Sequence, residues 1–141
     1  MKKTIFLFLF FILFIAGCGA QNLPPANSDE LLKLHNAERT KRKLKPFFIE
    51  ETLVAYAQKH AEWMAKKNTM KHSNVNNLLK DFNLAGENIA WNQKDEAEVT
   101  NAWMNSRPHR ANILNGKFGK IGFGMARNSK GQPYWCTVFG D

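Results

Sequence analysis

Residues 120–140 read KIGFGMARNSKGQPYWCTVFG. Ile121, Phe123 and Met125 alternate with Gly122, Gly124 and Ala126, the period of two that a strand imposes. Asn128 to Gln132 is a run of turn formers, and beyond it Tyr134, Cys136 and Val138 alternate with Trp135, Thr137 and Phe139. Two strands joined by a short turn are the expectation. One face of the first strand is nearly bare of side chains, and glycine inside a strand marks the close approach of another backbone. A helix or another backbone packed tightly over that face should explain it.

Upstream the period changes to that of helices. Asn27 with Glu30 resembles a capping box, followed by Leu31, Leu34, His35 and Glu38 at helical spacing. Glu50 and Glu51 suit the positive end of a second helix, whose stripe is Leu53, Ala57, His60, Ala61, Met64 and Ala65. Its alanines imply a close neighbour. His35 and His60 fall on apolar stripes and read as core histidines. Asn68 to Asn83 is a polar loop with one apolar turn at Leu78, Leu79 and Phe82, and Ile89 with Trp91 suggests a short strand after Gly86. Asp95 with Glu98 opens a third helix through Val99, Ala102 and Trp103, which Pro108 ends, with Ser106 capping the turn that Pro108 begins. Asn115-Gly116 is a further turn. Trp103 and Trp135 follow the core periods, whereas Trp63 falls off its stripe and is a candidate surface contact. Helices first and strands after them predict an α+β layer fold.

At 141 residues there is room for one domain. Lys2 and Lys3 precede an apolar run from Ile5 to Ala16, shorter than the roughly 20 residues that cross a hydrocarbon core but suited to a secretory h-region. It ends Ile15-Ala16-Gly17-Cys18, which resembles the lipobox of bacterial lipoproteins. That resemblance implies a signal peptide over 1–17, a lipid on Cys18, a tether over 18–28 with Pro24-Pro25, and a domain over 29–141. The domain would work outside the cytoplasm, anchored to a bacterial cell membrane at the outer membrane or the outer cell surface. An ordinary cleaved signal or an uncleaved anchor would also export it. Loss of Lys2 and Lys3 takes the formal charge from +8 to +6. With Cys18 acylated, Cys136 has no partner in the chain and should be a free thiol; a Cys18–Cys136 bridge belongs to an unprocessed form.

Arg39, Lys41, Arg42, Lys43 and Lys45 form a basic run before Pro46. An exported protein rarely meets nucleic acid, so no nucleic-acid partner is expected. Anionic head groups or envelope polymers suit the run better, and a solvated loop is the plain alternative.

Six motifs occur in one order: His35-Asn36 with Arg39, Ala57-Gln58, His72-Ser73, Gly86-Glu87-Asn88-Ile89-Ala90, WMNSRPHRANIL over 103–114, and Tyr134-Trp135. Together they resemble the CAP superfamily, the SCP-like extracellular domain of cysteine-rich secretory proteins, venom antigens and plant pathogenesis-related proteins. The resemblance covers about Glu30 to Gly140 and implies a three-layer α-β-α sandwich with a groove lined by two His and two Glu. His72, Glu87 and His109 match three of these. Ser106 stands where the family has the other Glu.

Two imidazoles and a carboxylate can hold a divalent metal such as zinc, act as an acid–base set on water, or form a hydrogen-bonded cluster that fixes loops. A hydroxyl at 106 neither offsets a cation's charge nor serves readily as a base. Metal binding through His72 and His109 is therefore expected to be weak, and efficient hydrolysis is not expected. Ser106 and His109 as nucleophile and base lack a Gly-x-Ser-x-Gly elbow. The functional expectation is a groove that binds a lipid-like or other small ligand or a surface partner, since the resemblance implies lipid and sterol binding in some members. The alternatives are a metal-assisted, peptidase-like hydrolase using His72, Glu87 and His109, and a non-catalytic scaffold or adhesin.

Overall fold

The computed structural model describes residues 26–141; Cys18, the apolar segment before it and most of the 18–28 stretch lie outside the described residues. Helix α1 spans Ser28–Thr40 and α2 spans Glu51–Lys67. After a 3-10 turn at Val75–Leu78 come β2 at Ala85–Trp91, α3 at Glu96–Asn105, α4 at Arg107–Ile113, β3 at Lys120–Arg127 and β4 at Pro133–Gly140, while β1 is the two-residue Phe48–Ile49 between α1 and α2. Among the described residues no helix is long and apolar enough to cross a membrane.

The caps follow the sequence signals. Asn27 accepts the Glu30 N–H at 3.1 Å and Asp95 accepts the Glu98 N–H at 2.8 Å. The box at α1 is completed from elsewhere, because the Asn27 N–H donates to Glu96 Oε1 at 2.9 Å. Packing reaches back to Ala26, which is buried in the core.

The sheet order is β1-β3-β4-β2, with β3–β4 and β4–β2 antiparallel and β1–β3 parallel. Both of its faces are covered. Tyr134, Cys136 and Val138 of β4 pack with Leu53, Ala57, Ala61 and Met64 of α2. Trp135 and Phe139 face the other way, onto Leu31 of α1, Val99 and Trp103 of α3 and Ile113 of α4. The fold is therefore the expected α+β sandwich of three layers, with both cores and the sheet closed within residues 26–141. The bare face of β3 meets a helix as expected. A Cβ on Gly122 would lie 2.2 Å from the α2 backbone at Leu53, and one on Gly124 2.3 Å from the Gln58 nitrogen. Gln58 seals the seam, donating to the Met125 carbonyl and accepting its N–H, each at 3.1 Å. At the far edge, the β2 carbonyls of Glu87 and Ile89 accept from Asn112 Nδ2 and Trp103 Nε1, which covers an otherwise open strand.

The structure corrects three readings. Arg39 does not belong to a basic surface. It is fully buried, and its guanidinium donates to the carbonyls of Lys45, Ile113, Asn115 and Phe118 at 2.7–3.0 Å while stacking over the Phe47 ring. Of the rest of the run, Lys41 and Arg42 both pair with Glu38. Ser106 sits at the N-cap of α4, but its side chain makes no cap hydrogen bond. Pro108 both follows the end of α3 and lies in the first turn of α4, where its missing N–H costs nothing. His60 is the third correction and belongs to the groove.

His35 is a core histidine as expected. Its Nδ1 lies 2.8 Å from the Leu31 carbonyl, so the proton sits there, and the buried Nε2 has no partner. The ring meets Trp103 and Phe123 edge-on. Burial pushes its pKa down to about 4. The folded state thus prefers the neutral ring, a preference worth roughly 3 kcal/mol that is fully present above the unfolded value near 6.5 and lost as pH falls toward about 4. Urea unfolding should show about 2 kcal/mol more loss between about pH 7.5 and 5 in the wild type than in His35→Phe. Equal losses in the two proteins would remove His35 as the cause.

Candidate functional site

The groove is built where the loop after α2 crosses the edge of β2. The loop is pinned to α2 first. The Tyr56 hydroxyl lies 2.8 Å from the Asn74 carbonyl and 3.1 Å from Ser73 Oγ, and His60 Nε2 lies 2.7 Å from the Lys71 carbonyl. This fixes His72 and Ser73 against Glu87, which is only 7 % exposed.

Both Glu87 oxygens are engaged. Oε1 accepts from His72 Nδ1 at 2.7 Å and from the Ser73 N–H at 3.0 Å, while Oε2 accepts from Ser73 Oγ. Cys136 Sγ approaches Oε2 at 3.7 Å, and His60 Nε2 lies 3.9 Å from it. A buried carboxylate is tolerated because charge-assisted hydrogen bonds replace its water. The bond at Nδ1 fixes the tautomer of His72 and leaves Nε2 as its free nitrogen, on a side chain that is 60 % exposed.

His109 arrives from α4 by a different tie. Asn88, fully buried on the opposite face of β2 from Glu87, donates to the His109 carbonyl at 3.0 Å and accepts from Asn112 at 2.8 Å. His109 is half-buried, and burial, followed by the charge of nearby His72, lowers its pKa. His72 therefore lies close enough to His109 to disfavour protonation of the His109 ring. Beside His109 a pocket of 250 Å³ is lined by Met70, Ile89, Ala90, Trp91, Ala102 and Trp103, with Gln93, Ser106 and His109 as its polar groups.

Of the four expected groove residues, His72 and Glu87 are directly joined, and Ser106 and His109 share the adjoining pocket without a hydrogen bond between them. Among the described residues no group of three or more His, Cys, Asp or Glu is arranged to hold a metal ion, and the Glu87 oxygens are taken up by Ser73 and His72. The Glu87 carboxylate is thus occupied, and His72 Nε2 and the His109 imidazole remain as the nitrogen groups of the expected set.

Ser73, His60 and Cys136 join the cluster unforeseen as groove residues. Cys136 is free and buried, and burial and then Glu87 push its thiol well above the ordinary range. Its place on the α2 face of β4 follows from strand alternation, but its nearness to Glu87 depends on the β2–β4 register, in which Glu87 faces Val138.

Glu87 acts as a clamp, which sets an expectation for Glu87→Gln. One acceptor becomes an NH2 facing N–H and O–H donors, at a cost of about 2 kcal/mol. Amide exchange at Ser73 should quicken more than about tenfold while α1 amides keep their protection. Unchanged exchange at Ser73 would remove the clamp.

Comparison with known proteins agrees with this architecture. The model of the cysteine-rich secretory protein family, CAP, matches residues 32–139. The chain is 43 % identical over 123 residues to the uncharacterised protein YkwD of Bacillus subtilis, covering 81 % of this chain and 47 % of that protein. Over 152 residues it is 25 % identical to an uncharacterised Borreliella burgdorferi protein, covering 99 % of this chain and 96 % of that one. In structure it is similar to an outer surface protein of Borrelia burgdorferi, with TM-score 0.71 and 23 % identity over 84 % of this chain and 97 % of that chain. It is also similar to an extracellular Bacillus anthracis protein containing an SCP domain, with TM-score 0.69 and 25 % identity over 79 % of this chain and 39 % of that chain. The chain spans less than half the length of YkwD and of the uncharacterised membrane protein YlbC of Bacillus subtilis, to which it is 30 % identical over 116 residues. The chain belongs to the cysteine-rich secretory protein (CAP) family.

Proposed function

We propose that this chain is an exported envelope protein, lipid-anchored through Cys18, whose CAP domain binds a small lipid-like ligand in the pocket between β2 and the α3–α4 corner. The observation that carries the ligand is the wall chemistry: Met70, Ile89, Trp91, Ala102 and Trp103 make it apolar, and Ser106 and His109 supply polar groups. At 250 Å³ it is smaller than the roughly 300 Å³ at which drug-sized pockets begin, which suits part of an amphiphile rather than a whole molecule. The export reading is supported by the lipobox-like Ile15-Ala16-Gly17-Cys18 and by the secretory description of the family.

Binding is favoured over hydrolysis because the one carboxylate in the groove is spent on holding the loop. The free nitrogen of His72 has no hydroxyl or thiol nucleophile bonded to it.

Native mass spectrometry of the envelope-purified protein should show a co-purifying lipid-like mass, absent from Ala102→Trp, which fills the pocket. A ligand-free wild type that takes up no fatty-acid probe yet cleaves peptides or wall polymers would overturn the reading. Cys18→Ser should abolish incorporation of labelled palmitate, and equal labelling of both forms would refute the anchor.

A further inference from the structure

We infer that the surface carrying Trp63, Met70 and Trp91 is a docking face for an anionic lipid bilayer. Tyr56, His60, Trp63 and Lys67 follow at i, i+4, i+7 and i+11 and so share one stripe of α2. The stripe runs antiparallel to the loop beside it. Tyr56 meets Ser73 and Asn74, and His60 meets Lys71, which brings Trp63 level with the start of the loop at Thr69 and Met70. Trp63 stacks on the His60 ring at 5.6 Å and remains 41 % exposed. Met70, 55 % exposed, and Trp91, 43 % exposed, stand together on the wall of the pocket. Most of the large exposed apolar side chains of the described domain are thus gathered on one side, where scattered single ones would need no explanation.

The charges around them are positive and unpaired. The lysine and arginine ion pairs of the described residues engage Lys33, Lys41, Arg42 and Lys80, leaving Lys67, Lys71 and Lys94 without a partner. Among nearby carboxylates, Glu62 lines a cleft with Arg127 on another side of α2. Asp95, Glu96 and Glu98 gather at the start of α3 beside Lys94, with Glu98 accepting the Lys94 N–H, so Lys67 and Lys71 carry the positive charge of the face. Tryptophan rings and methionine suit the head-group boundary, and lysines beside them attract anionic lipids.

The Asn27 N–H bonds to Glu96, two residues beyond Lys94, so the tether leaves the domain at the corner that holds Trp91 and Lys94. A lipid on Cys18 would keep that corner within about 30 Å of the bilayer at full extension. The nearness of that corner to the bilayer rests on the proposed anchor; the surface itself is tested without it.

Residues 19–141 contain the whole described fold and lack the acylated cysteine. In flotation with vesicles of about 30 % phosphatidylglycerol in phosphatidylcholine, this protein should bind with a blue shift of tryptophan emission, and at least about tenfold more weakly to phosphatidylcholine alone. Lys67→Glu with Lys71→Glu, and separately Trp63→Ser with Trp91→Ser, should each weaken binding at least about tenfold, while Phe48→Ser at the other sheet edge should not. Thermal melts of each variant check the fold; if the tryptophan pair unfolds the domain, the lysine pair decides. Three outcomes would overturn the inference: no binding to the anionic vesicles, binding lost on Lys43→Glu with Lys45→Glu but kept in the patch variants, or binding only to isolated wall polymer.

Discussion

Arg39→Met is expected to leave the chain largely unfolded at 37 °C. The guanidinium ties together the loop before β1, the end of α4 and the approach to β3, through carbonyls at Lys45, Ile113, Asn115 and Phe118. Removing it orphans the Lys45, Ile113 and Phe118 carbonyls in or near the core, while Asn115 keeps the Phe118 N–H at 3.3 Å. Each buried orphan costs roughly 1–3 kcal/mol, against a total stability of about 5–15 kcal/mol for a domain. Met fills similar space, so packing does not soften the loss. Arg39→Lys should fall between the two, because an ammonium is a point donor that cannot span four acceptors or stack flat on Phe47 as the guanidinium does at 3.8 Å. Circular-dichroism melts and urea titrations of both variants would measure this, with Lys43→Met as the exposed control. A melting temperature for Arg39→Met within a few degrees of wild type would show that the carbonyls find other partners.

Gly124→Ala is expected to cost about 3 kcal/mol or more, an unusually large effect for a single methyl group. The added carbon would sit 2.3 Å from the Gln58 nitrogen and 2.4 Å from the Ala57 carbonyl carbon, where contact distances of roughly 3.5–4.0 Å are needed. These atoms are backbone, so α2 itself must move off the sheet. That motion would open gaps along Ala57, Ala61 and Met64 and break the paired hydrogen bonds of Gln58 with Met125. Gly119→Ala, whose Cβ would meet nothing within 4 Å, should change stability by less than about 0.5 kcal/mol. Similar midpoints for the two variants in urea would mean that α2 yields more easily than its contacts suggest.

These two residues divide what sequence reasoning could reach. The pressure at Gly124 was legible, because alternation with two glycines and an alanine announces a close neighbour whichever helix supplies it. The Asn27 and Asp95 caps, the two-faced burial of β4 and the core roles of Trp103 and Trp135 were legible for the same reason. Each rests on a local period or a cap spanning a few residues. His72, Glu87, Ser106 and His109 were marked as groove residues by motif, and the structure joins two of them directly and places the other two in the adjoining pocket.

The sequence by itself therefore determined the layer architecture, the helix caps and the candidate groove residues. Tertiary structure alone decided that Arg39 is a buried tie rather than part of a basic face, since its partners at Ile113, Asn115 and Phe118 lie 74 to 79 residues away. It decided that His60 sits by Glu87 with Trp63 stacked on it, and that Cys136 and Ser73 complete that carboxylate's surroundings. It also decided the two-residue β1 and the seven-residue α4, elements too short to carry a readable period. A hydrophobic period records which face of an element is buried. The partner of a buried polar group depends on which distant segment the packing brings within 3 Å, and that distance is set by the fold as a whole.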